Sequence, residues 1–365
     1  MGAANDVQAG GWTALPDGLI DRRPHRSDED EPRFIGGGRW AGGLRDITDD
    51  LSALDSRGFW AVSISFEGVV TCARFDDVRH GLAIGVRAWH GPRVEDWESS
   101  IDRPAYEAAV QAIRARIAAG DIYQANLCRV LSAPLPRNSW TNITGLYAEL
   151  RRSAHGSVLR LPDHGLHIAS ASPELFLRRE GRVVESGPIK GTAKRAEDLL
   201  EKDRAENVMI VDLVRNDLGR VCVPGSVTVP ALCAVEHYPT FVHLVSTVRG
   251  ELRADVGWAE LLAATFPPGS VTGAPKIAAL DVIRELEPVP RGPYCGAIGW
   301  VDADSGTGSL AVGIRTFWIA EGRLHFGTGA GITWGSDPAA EWAETELKAG
   351  RLLRLAEGET RRGPR

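Results

Sequence analysis

The sequence predicts an α+β fold. Two observations carry this reading. LHIASASPELFLRREGRVVESGP, from Leu166, holds two β-prone runs hinged at Glu180-Gly181, and SLAVGIRTFWIAEGRLHFGTG repeats the form at Glu321-Gly322. Helical periodicity, by contrast, is confined to a few long stretches that do not alternate with single strands, which argues against a doubly wound sheet.

Residues 1–95 read as a short N-terminal region. It opens on a Gly/Pro/Asp-rich stretch and the charged run Asp21 to Glu31, expected to be poorly ordered, and continues with strand-like runs over Phe59 to Ile64 and Val69 to Phe75. Residues 96–365 read as a second, larger unit. Its first helix spans Tyr106 to Ala119, with Val110, Ile113 and Ile117 on one face and Gly120 as C-terminal cap. Further helices are expected over Arg195 to Leu218, Pro275 to Leu286 and Pro338 to Leu355.

The chain has 365 residues, 43% hydrophobic and 25% charged, which suits a soluble globular protein with a large core. No long apolar run and no basic-apolar leader is present, so a cytoplasmic protein with no membrane partner is expected. The net charge of −6 argues against nucleic acid. The five cysteines are scattered, without ligand spacing, and read as reduced, mostly buried thiols.

Several segments have the makings of a site. Glu341, Glu344 and Lys348 share one face of the last helix, behind Asp337 as N-cap and Pro338 at its first position. Alone they could be a solvated face with an i,i+4 pair. Glu206 lies on the semi-apolar side of EKDRAENVMIVDLVRNDLGR. Two such helices, if they converge, offer Mg²⁺ the few hard oxygens it prefers.

FPPGSVTGAPK is not a phosphate loop: its spacing is wrong and Ile277 stands where a hydroxyl should be. It remains either an anion-receiving turn with Thr272 or a helix cap made by Thr272 or Ser270. GTGAGITWG presents Gly329 and Gly331, read as a backbone-amide site just after a strand or as simple turn glycines. Lys190 in SGPIKGT is a nucleophile if its pocket is partly apolar and a surface charge otherwise. His243 reads as a core histidine and Glu174 as a turn acid.

Taken in order, GDIYQANL, SASPELF, SGPIKGT, DRAENVMIVDLVRNDLGR, HLVST, FPPGSVTGAPK, CGAIGW, GIRT, GAGI and EWAETELKA resemble the chorismate-utilising enzymes, a family that includes anthranilate, aminodeoxychorismate, isochorismate and salicylate synthases. The resemblance implies a β-sandwich core flanked by helices, the anthranilate synthase component I-like fold, with chorismate in a cleft. It makes Glu206 and Glu344 ligands of Mg²⁺ with Glu341 close by. It assigns Arg315, Lys348, Gly329 and Gly331 to substrate carboxylates, with Thr272 lining the pocket. Glu174 and His243 would stand near the C4 hydroxyl, Glu174 as acid.

Pro-Ile-Lys-Gly-Thr matches the aminodeoxychorismate branch, where Lys190 would form a covalent intermediate and ammonia would displace it. Anthranilate, isochorismate or salicylate formation, or a catalytically silent chorismate-binding subunit, are the competing expectations. With no glutaminase signature in the sequence, ammonia is expected from a separate glutamine amidotransferase subunit. Trp300 stands where many relatives carry Tyr.

Overall fold

The structure, a computed structural model, describes residues 31–81, 88–136, 142–150, 153–238 and 241–358. Most of the charged opening expected to be poorly ordered lies outside them. In chain order the first elements are β1 (Arg33–Gly36), β2 (Arg39–Thr48), β3 (Phe59–Ile64), β4 (Val70–His80), β5 (Glu98–Ser99), α1 (Arg103–Ala119), β6 (Gln124–Pro134) and α2 (Ile143–Glu149). Then come β7 (Ser157–Leu161), β8 (Leu166–Ser170), β9 (Leu175–Glu180), β10 (Val183–Gly187), β11 (Ile189–Ala193), α3 (Glu201–Gly219), β12 (Thr228–Tyr238) and β13 (Phe241–Glu251). The rest are α4 (Trp258–Thr265), β14 (Gly273–Ala274), α5 (Lys276–Leu286), β15 (Ala297–Asp302), β16 (Thr307–Val312), β17 (Thr316–Ala320), β18 (Arg323–Ile332) and α6 (Pro338–Glu357).

All the strands join one antiparallel sheet that runs β12-β13-β10-β9-β16-β15-β3-β4-β2-β1-β7-β8-β17-β18-β6. β11 adds to β13, and β5 and β14 add to β6. The sheet folds back on itself. Side chains alternate along each strand, so Phe34, Leu159, Ile168 and Trp318 face Val62, Phe75, Ile298 and Leu310 in one inner core. Their neighbours Ile35, Val158, Ala169 and Phe317 point outward, under α2 and α6. α1 and α5 cover the outer face of β6 and β18 through Tyr106, Val110, Ile113, Ala279 and Ile332. This is the β-sandwich flanked by helices that the resemblance implied.

β1 to β4 share the sheet with the rest of the chain, since β3 pairs along its whole length with β15. The helices begin and end for local reasons. Asp102 caps α1 and Gly120, at φ 83°, ends it in the left-handed region. Asp337 accepts from Ala340 N and Pro338 opens α6, whose Trp342, Thr345, Ala349 and Leu353 are buried at helical spacing. The helix expected from Arg195 starts later, at Glu201, since Ala196–Asp198 is a separate 3₁₀ turn. α2 and α4 had no counterpart in the sequence reading. Among the described residues no helix is long and apolar enough to cross a membrane.

Candidate active site

Glu174 leaves the β-sheet between β8 and β9, and the backbone there is tied on three sides. Its N–H takes the Ser172 hydroxyl at 3.2 Å, its carbonyl accepts from Val312 N, and Ala171 N donates to Arg315 O. The residue is 4% exposed, so it is no ordinary turn acid. Burial pushes its pKa up to about 7, against the opposing pull of the Ser270 side chain, the Lys190 charge and the Ile189 amide.

Lys190 is in β11, not in a loop, and its Nζ donates to Ser270 O at 3.4 Å. Gly191 follows it at φ 70°, at a register shift, where a Cβ would come within 2.9 Å of Asp203. Lys190 and Glu174 therefore meet over one residue, Ser270. A cavity of about 20 Å³, room for about one water, lies behind Glu174, lined by Ser270, Ile210, Val214 and Asp217.

His243, in β13 opposite Thr192, is 1% exposed. Burial and the Arg315 charge lower its pKa to about 4, partly offset by a hydrogen bond with Gly191, so its ring is neutral at pH 7. Arg315 adopts φ 52°. Burial and the like charge of Arg351 depress its pKa, and no carboxylate among the described residues pairs with its guanidinium. A half-buried fork of free donors is an anion receptor.

The segment from Phe266 to Lys276 is a turn, not a cap. Thr272 is fully buried and its hydroxyl donates to Pro268 O and Gly269 O, while Pro275 occupies the α5 N-cap without a side-chain bond. Neither Thr272 nor Ser270 caps α5. Gly273 pairs with Ala125, and a Cβ there would strike Gln124 O. Gly329 and Gly331 also differ from expectation: both lie inside β18, opposite Cys128 and Asn126, and not after it. A Cβ on Gly331 would reach Gln124 Nε2 at 2.6 Å and Glu206 Oε2 at 3.9 Å. Glycine here keeps open the space in front of Glu206.

α3 and α6 do converge. Lys202 Nζ stands 3.6 Å from both Glu206 Oε1, one turn along α3, and Glu341 Oε1 on α6. Burial works against the Lys202 charge, yet Glu341, Glu206 and Glu344 outweigh it and raise the pKa. Burial raises Glu341, opposed by Ser336 and Lys202. Burial also acts to raise Glu344, but Lys348, Lys202 and Lys190 hold it below the usual range. Lys348 pairs with Glu344 at 2.6 Å and donates to Gly329 O at 3.0 Å, so the i,i+4 pair of the plainer reading is present.

Two residues were not singled out as site residues in the sequence reading: Lys202, inside the quoted acidic helix, and Gln124, inside GDIYQANL. Gln124 is 1% exposed, with its Oε1 buried and without a hydrogen bond. An orphaned buried acceptor beside an open glycine is unusual. Trp300 is remote from this cluster in its contacts: its ring stacks on Phe59 and lies under Arg39.

Among the described residues no three acidic, histidine or cysteine side chains form a preformed metal cluster. Glu206 and Glu341 are instead held together by the Lys202 ammonium. Hard carboxylate oxygens gathered on a cation fit Mg²⁺, which would take over the charge that Lys202 now supplies.

Residues 86–354 match the family described as chorismate binding enzyme. The chain is 43% identical over 287 residues to anthranilate synthase component 1 of Streptomyces coelicolor, covering 74% of this chain and 55% of that protein. It is 40% identical over 269 residues to aminodeoxychorismate synthase component 1 of Salmonella typhimurium, covering 70% and 58%. The matched part thus spans little more than half the length of these relatives. The fold superposes on anthranilate synthase component I of Streptococcus pneumoniae with a TM-score of 0.68 at 25% identity, over 92% of this chain and 83% of that one. The menaquinone-specific isochorismate synthase of Escherichia coli gives 0.78 at 18% identity, over 91% and 90%.

Proposed function

The chain belongs to the chorismate binding enzyme family, and from that premise we propose that it is the aminodeoxychorismate synthase component that joins chorismate and ammonia into 4-amino-4-deoxychorismate. The observation that carries this reading is the meeting of Lys190 and Glu174 over Ser270. A nucleophilic amine beside a carboxyl that can hold a proton near neutral pH is what substitution at an allylic hydroxyl requires.

The proton of the Lys190–Glu174 pair rests on Glu174, and the free amine of Lys190 attacks C2 of chorismate. The C2–N bond forms as the C4–O bond breaks, both ring double bonds shift round the ring, and Glu174 delivers its proton so that water departs. Ammonia then attacks C4, the C4–N bond forms, both double bonds shift back, the C2–N bond breaks, and Lys190 recovers its lone pair. The excess proton of the new amine returns to Glu174. Neutral His243 orients the hydroxyl without adding charge. Arg315, beside Arg351, takes one substrate carboxylate, and Thr272, Gly329 and Gly331 shape the floor. Glu206, Glu341 and Glu344 would hold Mg²⁺, which supplies charge stabilisation and open positions for the other carboxylate. Lys348 keeps Glu344 aligned with β18.

The designation of the Salmonella relative as component 1 supports an ammonia source on a second polypeptide, which we propose is a glutamine amidotransferase. The 43% identity to an anthranilate synthase component favours a second reading, anthranilate formation. There Lys190 would have no covalent task. Incubating the protein with chorismate, Mg²⁺ and ammonium, with and without aminodeoxychorismate lyase, separates them by mass spectrometry. The expected result is the 4-amino product, converted to p-aminobenzoate only by the lyase, and lost in Lys190→Ala although chorismate still binds. Anthranilate as product, or full turnover by Lys190→Ala, would overturn the reading.

A further inference from the structure

Behind the Ser270 turn lies an ion pair that the reaction above does not use. Arg291 is 1% exposed and grips Glu287 with two parallel bonds, Nε to Oε2 at 2.7 Å and Nη2 to Oε1 at 2.6 Å. Its remaining reach goes to main chain: Nη1 donates to Val271 O at 2.8 Å and Nη2 to Asn126 O at 2.7 Å. Glu287 Oε1 also accepts from Cys128 N at 2.8 Å. Asn126 N in turn donates to Thr272 O at 2.7 Å. The far end is anchored as well, since Arg291 N and Gly292 N donate to the Glu67 carboxylate and the guanidinium covers the Phe66 ring at 4.1 Å.

A buried pair of this sort seldom repays its desolvation as stability, whereas leaving one partner alone is costly. What the pair does here is geometric. Val271, whose carbonyl Arg291 holds, sits between Ser270, the shared partner of Lys190 and Glu174, and Thr272. We propose that Arg291, braced by Glu287, is a positioning residue that fixes the Ser270–Thr272 turn against β6 and so sets the spacing of Lys190 and Glu174. This rests on the reading of those two residues as nucleophile and acid. The charged groups facing Glu174 are Lys190 and, across the small cavity, Asp217, itself paired with Lys276 at 2.7 Å. Neither pairs with Arg291, so the clamp works only through the turn.

Arg291→Lys keeps the charge but loses the fork, and Arg291→Met/Glu287→Leu removes both charges so that none is left unpaired. In each, near-UV circular dichroism reports folding, infrared titration reports Glu174, and steady-state kinetics report KM and kcat. A loosened turn lets water reach Glu174. Its titration is therefore expected to move down from about 7 toward the ordinary carboxylate range, with KM for chorismate raised at least about tenfold. Native spectra with unchanged titration and KM in either variant would overturn the proposal, and so would loss of the native spectrum in both, which would make the pair a folding determinant. Infrared titration needs no turnover, so a wild-type protein that makes a different product would sink the reaction reading and leave that arm to decide the clamp.

Discussion

Lys202 and Glu341 meet across two helices, Nζ to Oε1 at 3.6 Å, and Glu206 completes the contact at the same distance. An ammonium here is competition for a divalent ion. Lys202→Met should leave two facing carboxylates uncompensated. In EDTA the variant is expected to melt several degrees below wild type, and Mg²⁺ should restore it and raise its melting temperature more than it raises wild type's. Melting curves with and without Mg²⁺ check this. Equal responses would mean that Lys202 and the ion do not share a site.

Arg315 carries the opposite bias. Its guanidinium is desolvated, without a carboxylate among the described residues, and lies near Arg351. A partly buried, unpaired charge destabilises the free protein. Arg315→Met should therefore raise the melting temperature while weakening chorismate binding. A charge-assisted bond is worth about 1.5–3 kcal/mol, so roughly ten- to a hundredfold in Kd by calorimetry. Weakened binding together with a lower melting temperature would show that Arg315 serves the fold.

In the proposed reaction Glu174 governs the pH dependence of turnover: as the acid it must be protonated, and burial raises its pKa to about 7. The rate should fall as pH rises through that value, and Glu174→Gln should lower kcat by about 10²–10⁴-fold. A pH profile flat from 6 to 8.5 would remove Glu174 from proton transfer.

The fold was legible where local signals are strong. Glu180-Gly181 and Glu321-Gly322 do hinge β9 to β10 and β17 to β18, and Asp337-Pro338 does open α6. The short α2 and α4 were missed because seven- and eight-residue helices barely establish a period. At the site, periodicity set Glu341, Glu344 and Lys348 on one face but could not say what they would meet. Lys202 became visible only once α3 and α6 were packed together. Thr272 stayed open between two readings for a related reason: a hydroxyl before a helix resembles a cap until Pro268 O is seen to take it. Long-range pairing, β3 with β15 or Lys190 with Ser270, leaves no trace in spacing.

His243 provides a test of stability separate from turnover. Its folded pKa of about 4 lies below the ordinary 6.5, so the unfolded chain binds the proton more readily. The stability it contributes is complete above pH 6.5 and is lost as pH falls from there toward 4. Glu174 pulls the other way: with its pKa raised from 4.5 to about 7, its contribution is present below 4.5 and lost as pH rises to 7. His155 and His167, also lowered to about 4 by burial, slope in the same sense as His243. The total curve cannot isolate one group, but the difference between wild type and His243→Gln can. Urea unfolding at half-unit steps from pH 4.5 to 7 should give a stability gap between the two that widens as pH rises and levels off above 6.5. A gap independent of pH would mean that His243 is as readily protonated in the folded protein as in the unfolded chain.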